Sequence, residues 1–233
     1  MLFRLFPLLE YSPLAFFMML TAISGALLIA VTVHEASHAF LARWQGDETA
    51  CHAGRCSFNP IRHLDPMGTA MMFLVGFGWG KPVPVNPNWL RSGPWVGGAI
   101  VALAGPASNL LTALVVATPV RLGLLPWRSP GRLSTSLDPM ILVSEAVGFI
   151  VFYNVALAVF NLIPLAPLDG FRVALGILPR RAAIAFARLE QYGPGILMLL
   201  LMMSYFDFVP FGLGELLTPA VTFVVRLVTG TAA

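Results

Sequence analysis

His34 and His38 stand four residues apart with Glu35 beside the first of them, in the run His34-Glu35-Ala36-Ser37-His38-Ala39-Phe40. On a helix, two residues four apart share a face, so both imidazoles can reach one ion. Glu35 is close enough to handle a water on that ion. H-E-x-x-H supplies two nitrogen ligands and a general base, the pattern of zinc hydrolases. A plainer reading is a hydrogen-bonded polar cluster at a helix end. The twenty residues before it, Leu14 to Val33, carry no charge, and no Gly or Pro separates them from the histidines. Such a run matches the roughly 20 residues that cross a hydrocarbon layer of about 30 Å. Ionisable groups at membrane depth are costly and usually mark a functional site.

Composition says what must position these groups. Hydrophobic residues make up 58% of the chain and charged residues 11%, with a mean hydropathy of +0.81. Soluble domains carry about 25% charged residues, so this composition implies an all-α polytopic membrane protein. The expected organisation is one membrane-embedded domain over 1–233, with a core at 14–190 and accessory C-terminal helices at 194–229. No sizeable soluble domain fits. The net charge of +3 comes from dispersed Arg with no basic block, so no nucleic-acid partner is indicated. The first apolar run carries the histidines, so it is not a cleaved signal peptide. Cys51 and Cys56 offer no disulfide framework and read as free thiols in a reducing compartment.

About five transmembrane helices are expected. Residues 1–13 read as an interfacial amphipathic segment. Span one runs from about Leu14 to Trp44, with Ser24, Gly25 and Ala26 allowing close packing. In the 45–94 connection, Thr69 to Gly78 is too short to span and suits a re-entrant or β-like segment. Lys81 to Pro87 is too proline-rich for a helix and suits an extended edge or loop. Span two, about Trp95 to Thr118, carries Gly98, Ala102, Gly105 and Asn109 on one small-residue face, with a kink expected at Gly105-Pro106. Span three, Met140 to about Ile163, contains Glu145, Asn154 and Asn161. Residues 171–193 read as one amphipathic surface helix. Spans four (Pro194 to Phe206) and five (Gly214 to Val228) are short, and whether they cross is open. With the amino terminus outside and strict alternation, most of the fourteen Lys and Arg, Arg226 among them, fall inside, as the positive-inside rule favours. His34 and Asn161 then share a depth toward the cytoplasmic side.

A catalytic zinc usually takes three protein ligands. Asp169 is the best third candidate, carried by a helix-breaking loop after span three. At this point the chain resembles the site-2 protease family of intramembrane metalloproteases. The resemblance rests on HEASHAF and on Asn161-Leu162-Ile163-Pro164 with Pro167-Leu168-Asp169-Gly170. Weaker matches follow in family order: Phe58-Asn59-Pro60, Leu64-Asp65-Pro66-Met67-Gly68, Gly80 to Pro87 and Ala104-Gly105-Pro106. It implies one Zn2+ per chain on His34, His38 and Asp169, with Glu35 activating the water and Asn161 steadying the substrate carbonyl. It also implies transmembrane protein substrates, and an integral protein of a bacterial inner membrane with its site toward the cytoplasm. Phe171 departs from the family, where a second glycine is usual, which could narrow the backbone approach there. No PDZ or regulatory domain is expected.

Other groups carry plainer readings. Cys51, His52, Cys56 and His63 fit no familiar zinc spacing. Glu145 suits an interfacial position, and Asn154 suits hydrogen bonding between helices rather than catalysis. Arg172 pairs with Glu190 or a lipid headgroup. The Met198 to Met203 run is packing or lipid-facing surface. Two rival functions use the same residues: a membrane metal transporter with a His/Asp transit site, and a catalytically dead scaffold that binds membrane helices. The Thr69–Pro87 segment could also capture a substrate as an added strand, or be a structural loop.

Overall fold

The computed structural model describes residues 6, 9–10, 12–74, 78–130, 138–205 and 212–231. Parts of the expected interfacial segment, of the Thr69–Gly78 stretch and of the connection between spans two and three lie outside them, as does Phe206 at the end of span four.

Helix α1 spans Pro13–Trp44, 32 residues without a break. Ser12 caps it, its Oγ accepting from the Ala15 amide at 3.4 Å, and Pro13 sits where the missing N–H costs nothing. Gly46, at φ 102°, takes the left-handed turn that ends it, and the Asp47 amide returns to the Ala42 carbonyl at 2.9 Å. Among the described residues, the other helices of eight residues or more are α2 (Pro66–Leu74), α3 (Pro94–Val116), α4 (Pro139–Asn161), α5 (Asp169–Ile177), α6 (Arg180–Ala187), α7 (Gly193–Tyr205) and α8 (Leu213–Thr229). Asp138 caps α4, accepting from the Met140 amide at 2.8 Å. α3 runs through Gly105-Pro106 as one element.

The protein is all-helical among the described residues, and α1, α3 and α4 are long and apolar enough to cross a membrane. α3 lies at the centre, packed against α1, α4 and α5. Ala113 and Ala117 meet Val151, Val155, Val221, Val225 and Val228 in one core cluster. Phe16, Ile23 and Ala26 meet Phe149 in a second. Small residues set the closest approaches: a Cβ on Gly176 would strike Ala99 of α3, so α5 lies hard against that helix. Gly25 plays no such part, since a Cβ there meets nothing within 4 Å. Ala26, 1% exposed, does.

Several expectations need correction. Among the described residues the Thr69 region is helical over Pro66–Leu74 with no strand, and pairing beside it is confined to one antiparallel bridge, Leu64 to Gly80. Residues 171–193 form two helices and a turn instead of one helix, because Pro179 forces Leu178 to an extended ψ of 144°. The thiols are not free. Thr49–His52 forms a single helical turn that brings the Cys51 and Cys56 Cα atoms within 4.8 Å, and the two are joined as a disulfide.

The last two apolar segments do not alternate. Arg121, just beyond α3, donates from Nη1 to the Leu227 and Val228 carbonyls at 3.1 and 3.2 Å. Gly214 and Leu217, at the other end of α8, share an apolar groove with Leu157 and Phe160. α8 therefore runs in the direction of α3. α7 has 13 residues, roughly 20 Å of helix, too short for about 30 Å. Its Gly193 lies against Ala166, and its Ser204 lies against Gly212 at the start of α8. Both ends of α7 are thus on the Asn161 side, and Arg226 belongs with Arg121 at the opposite end.

Candidate metal centre

α1 carries His34 and His38 four residues apart, and the two rings meet edge to face with centroids 4.6 Å apart. Both side chains are buried against α3. After α4, Pro164 and Pro167 break the helix, and the chain turns back through hydrogen bonds from Leu165 to Ile163 and from Leu168 to Leu165. Gly170 permits this turn, because a Cβ there would collide with the Leu162 and Ile163 carbonyls. Asp169, first residue of α5, is thereby delivered to the histidines. Its Oδ2 lies 3.0 Å from His34 Nε2 and 3.3 Å from His38 Nε2.

One atom from each of the three residues falls within 4.8 Å of the others. Asp169 Oδ2 is buried and, among the described residues, accepts no hydrogen bond. An anionic oxygen facing two imidazole nitrogens in an apolar setting is costly unless a cation lies among them. Gly105 of α3 closes the other side. A Cβ on it would sit 2.5 Å from His38 Nε2 and 2.7 Å from His34 Nε2. The absent side chain leaves room for an ion. Two nitrogens and one carboxylate oxygen, with a cleft open beyond them, suit zinc with a position left for water.

That cleft, about 400 Å³, is lined by His34, Glu35, His38, Val83, Val85, Asn161, Asp169 and Arg172 among others. Glu35 is half-buried within it, on the side where Gly80 approaches. Asn161 reaches the same cleft, but its Nδ2 donates to the Leu157 carbonyl of its own helix at 3.0 Å. Arg172 faces Glu190 at 3.8 Å, both side chains exposed. Phe171 does not narrow the site. It is buried against α6, stacked on Phe186 at 4.8 Å, and the close backbone approach falls at Gly170.

Two polar groups hold the wall opposite. Asp47 is fully buried and accepts from the Thr49 amide and hydroxyl and, through Oδ2, from the Asn86 amide at 2.7 Å. Burial alone would raise its pKa, but these hydrogen bonds outweigh it and hold the carboxyl below the ordinary value. At the other end, the buried Arg55 guanidinium donates to the Lys81 carbonyl at 3.2 Å and to that of Arg62. The Lys81 amide donates to the His63 carbonyl at 2.7 Å. Residues 82–85 are stretched between these two clamps along the cleft. Among the described residues, the Val83 and Val85 amides have no hydrogen-bond acceptor.

The sequence marked Asn109 only as the end of a small-residue face. Yet Asn109 touches a histidine directly: His34 Nδ1 lies 2.7 Å from its Oδ1. His38 Nδ1 lies 2.8 Å from the Val101 carbonyl. An amide in an apolar helix, four residues past Gly105, is the signal that could have found Asn109. The Cys51-His52-Cys56-His63 group does not assemble. The cysteines bond each other, His52 faces Glu48 at the surface, and the buried His63 meets the Ser57 carbonyl through Nε2. Asn154 bonds between helices, its Oδ1 accepting from Asn109. Glu145 lines an apolar groove between α1 and α4 and faces Arg128 at 4.0 Å.

Comparison with known proteins places this geometry in context. The model for "Peptidase family M50" matches residues 135–204, which include Asn161 and Asp169. A Bacillus subtilis protein provisionally named zinc metalloprotease YwhC is 36% identical over 168 residues, covering 72% of this chain and 74% of its own length. Proteins provisionally named zinc metalloprotease Rip2, from Mycolicibacterium smegmatis and Mycobacterium tuberculosis, are each 28% identical over 197 residues, 82% of this chain and 70% of theirs. No solved structure matches.

Proposed function

The chain belongs to peptidase family M50, the site-2 proteases, and is a zinc metalloendopeptidase; from that premise we propose that it hydrolyses peptide bonds in or near the transmembrane helices of other proteins. The observation that carries the proposal is the meeting of His34, His38 and Asp169 beside Glu35 in one cleft, on helices apolar enough to span a bilayer. His34, His38 and Asp169 would hold one zinc per chain. When bound, the ion lowers the pKa of a water to about 7 and polarises a carbonyl. Glu35 takes the proton of the attacking water and passes it to the leaving amide nitrogen. The Asn161 amide, turned from Leu157 toward the cleft, donates to the substrate carbonyl oxygen as charge develops there.

A peptide bond inside a helix is shielded by its neighbouring turns, so the substrate must be drawn out before it is cut. The stretched 82–85 segment offers Val83 and Val85 as edge donors for strand addition beside the zinc ligands. α8 supplies a further span of 17 residues, roughly 26 Å, and α7 remains on one side.

The membrane is proposed to be a bacterial inner membrane, with the centre toward the cytoplasm. Lys and Arg in the 45–94 and 164–193 connections support that orientation, although Arg226 now counts against it. The Cys51–Cys56 disulfide also counts against it, since such bonds belong to oxidising compartments. Ile61, 79% exposed in the first connection, gives a probe. Ile61→Cys should react with a membrane-impermeant thiol reagent only from the cytoplasmic side, and reaction only from outside would reverse the assignment.

The function itself is tested with purified protein and a model transmembrane substrate, with and without a zinc chelator. Cleavage should stop on chelation and return with zinc. Glu35→Gln should retain zinc but cut nothing. Zinc-dependent ion movement that survives Glu35→Gln, with no cleavage by the wild type, would establish the transporter instead.

A further inference from the structure

Both terminal atoms of the Asn109 amide are assigned by its neighbours. Its Nδ2 lies 2.9 Å from the Ala30 carbonyl, which can only accept. The same Nδ2 lies 2.8 Å from Asn154 Oδ1. Asn154 is fixed in turn, because its own Nδ2 donates to the Ile150 carbonyl at 2.8 Å. Both asparagines are fully buried, so no water competes. The atom that Asn109 turns to His34 is therefore an oxygen, and an amide oxygen only accepts. At 2.7 Å from it, His34 Nδ1 must carry the ring proton. In the neutral ring, the form that can ligate a metal, the lone pair of His34 is then on Nε2, the atom facing Asp169.

We propose that Asn109 is a positioning residue that locks His34 in the Nδ1-protonated tautomer and fixes its ring plane, with Asn154 holding Asn109 in the required orientation. The inference rests on the zinc reading of His34, His38 and Asp169, and extends it to two residues that touch no substrate. His38 obtains the same tautomer from the Val101 carbonyl. Val101, Gly105 and Asn109 are spaced by four along α3 and form one face. One helix thus sets both imidazoles and leaves the gap between them. The His34 partner differs from that of His38 in being a side chain, so mutation can remove it.

The test uses the full-length protein in detergent, with zinc affinity measured by competition against a chelator. Asn109→Leu keeps the branched side-chain shape and deletes the acceptor. Zinc affinity should fall ten- to a hundredfold, the usual effect of losing a partner that orients a ligating histidine. In 15N-histidine spectra of Asn109→Leu the His34 ring proton should no longer be confined to Nδ1, a change that a purely packing role would not give. Wild-type zinc affinity in Asn109→Leu, or an unchanged His34 tautomer in it, would overturn the proposal. Should that variant fail to fold, 15N-histidine spectra of the wild type decide, with only four histidines to assign. His34 should show a protonated Nδ1 with and without zinc; an unprotonated or zinc-bound Nδ1 would overturn the proposal. Failure of the wild type to bind zinc would instead remove the metalloprotease reading.

Discussion

Replacing Gly105 with alanine is the sharpest perturbation of the centre, because the added atom would fall where an ion held by His34, His38 and Asp169 would lie. Its Cβ would be 2.5 Å from His38 Nε2, 2.6 Å from His34 Cε1 and 2.7 Å from His34 Nε2, short of ordinary contact at 3.4 Å by 0.7 to 0.9 Å. Zinc–nitrogen distances are held near 2.0–2.1 Å with a tolerance of about 0.2 Å. Imidazoles that withdraw to relieve the overlap therefore leave the coordination sphere. Overpacking of this kind costs about 1–3 kcal/mol, and loss of a ligand should bring the fall in zinc affinity to about a hundredfold, or about 2.7 kcal/mol. The zinc-free fold should lose at most about 2 kcal/mol, since the overpacking is partly offset by the roughly 1 kcal/mol that alanine gains over glycine within a helix. Melting with and without zinc separates the two effects. At zinc about 1,000 times the wild-type Kd, the wild type gains about 4.1 kcal/mol, whereas a hundredfold weaker variant gains only about 1.4 kcal/mol. Gly25→Ala in α1, where the Cβ meets nothing within 4 Å, should bind zinc as the wild type does. A Gly105→Ala protein with zinc affinity within threefold of the wild type would refute the placement of the ion.

Val83→Pro and Val85→Pro each delete one edge amide without adding charge. Cleavage of the model substrate should fall mainly through KM, with zinc affinity intact, and normal cleavage by both variants would leave the 82–85 segment a structural loop. Asp47 gives the stability a defined pH dependence. Its native pKa lies below its unfolded value, so its contribution is fully present above about pH 4 and is lost as the pH falls through the lowered native value. Asp47→Asn should melt lower than the wild type at neutral pH, with the gap closing in acid. A constant gap down to the acid limit would show that the Asn86 and Thr49 hydrogen bonds do not need the charge.

What the sequence revealed and what it hid divide by the range of the interactions. α1 was legible because one apolar run enters the histidines with nothing to interrupt it, and four-residue spacing orients His34 and His38 without help from the rest of the fold. Asp169 came within reach only through a depth argument and a family resemblance, since the turn that delivers it depends on Gly170 passing the Leu162 carbonyl. Asn109 lies 75 residues from His34, and Asp47 lies 39 from Asn86. Local propensity and periodicity carry no trace of either pairing. The C-terminal error has a similar origin. Hydropathy marked α7 and α8 as apolar, but their direction is set by tertiary contacts of Gly193, Gly214 and Arg121.

The arrangement around α3 also bears on how the protein could be switched. His34 and His38 are registered against Asn109 and Val101, while the helix bearing Asp169 is keyed to the same rod by Gly176 at Ala99. A slide or roll of that rod would disturb His34, His38 and Asp169 in concert. Partial assembly has no obvious resting place, so metal capture and any inactivating movement should each be all-or-none.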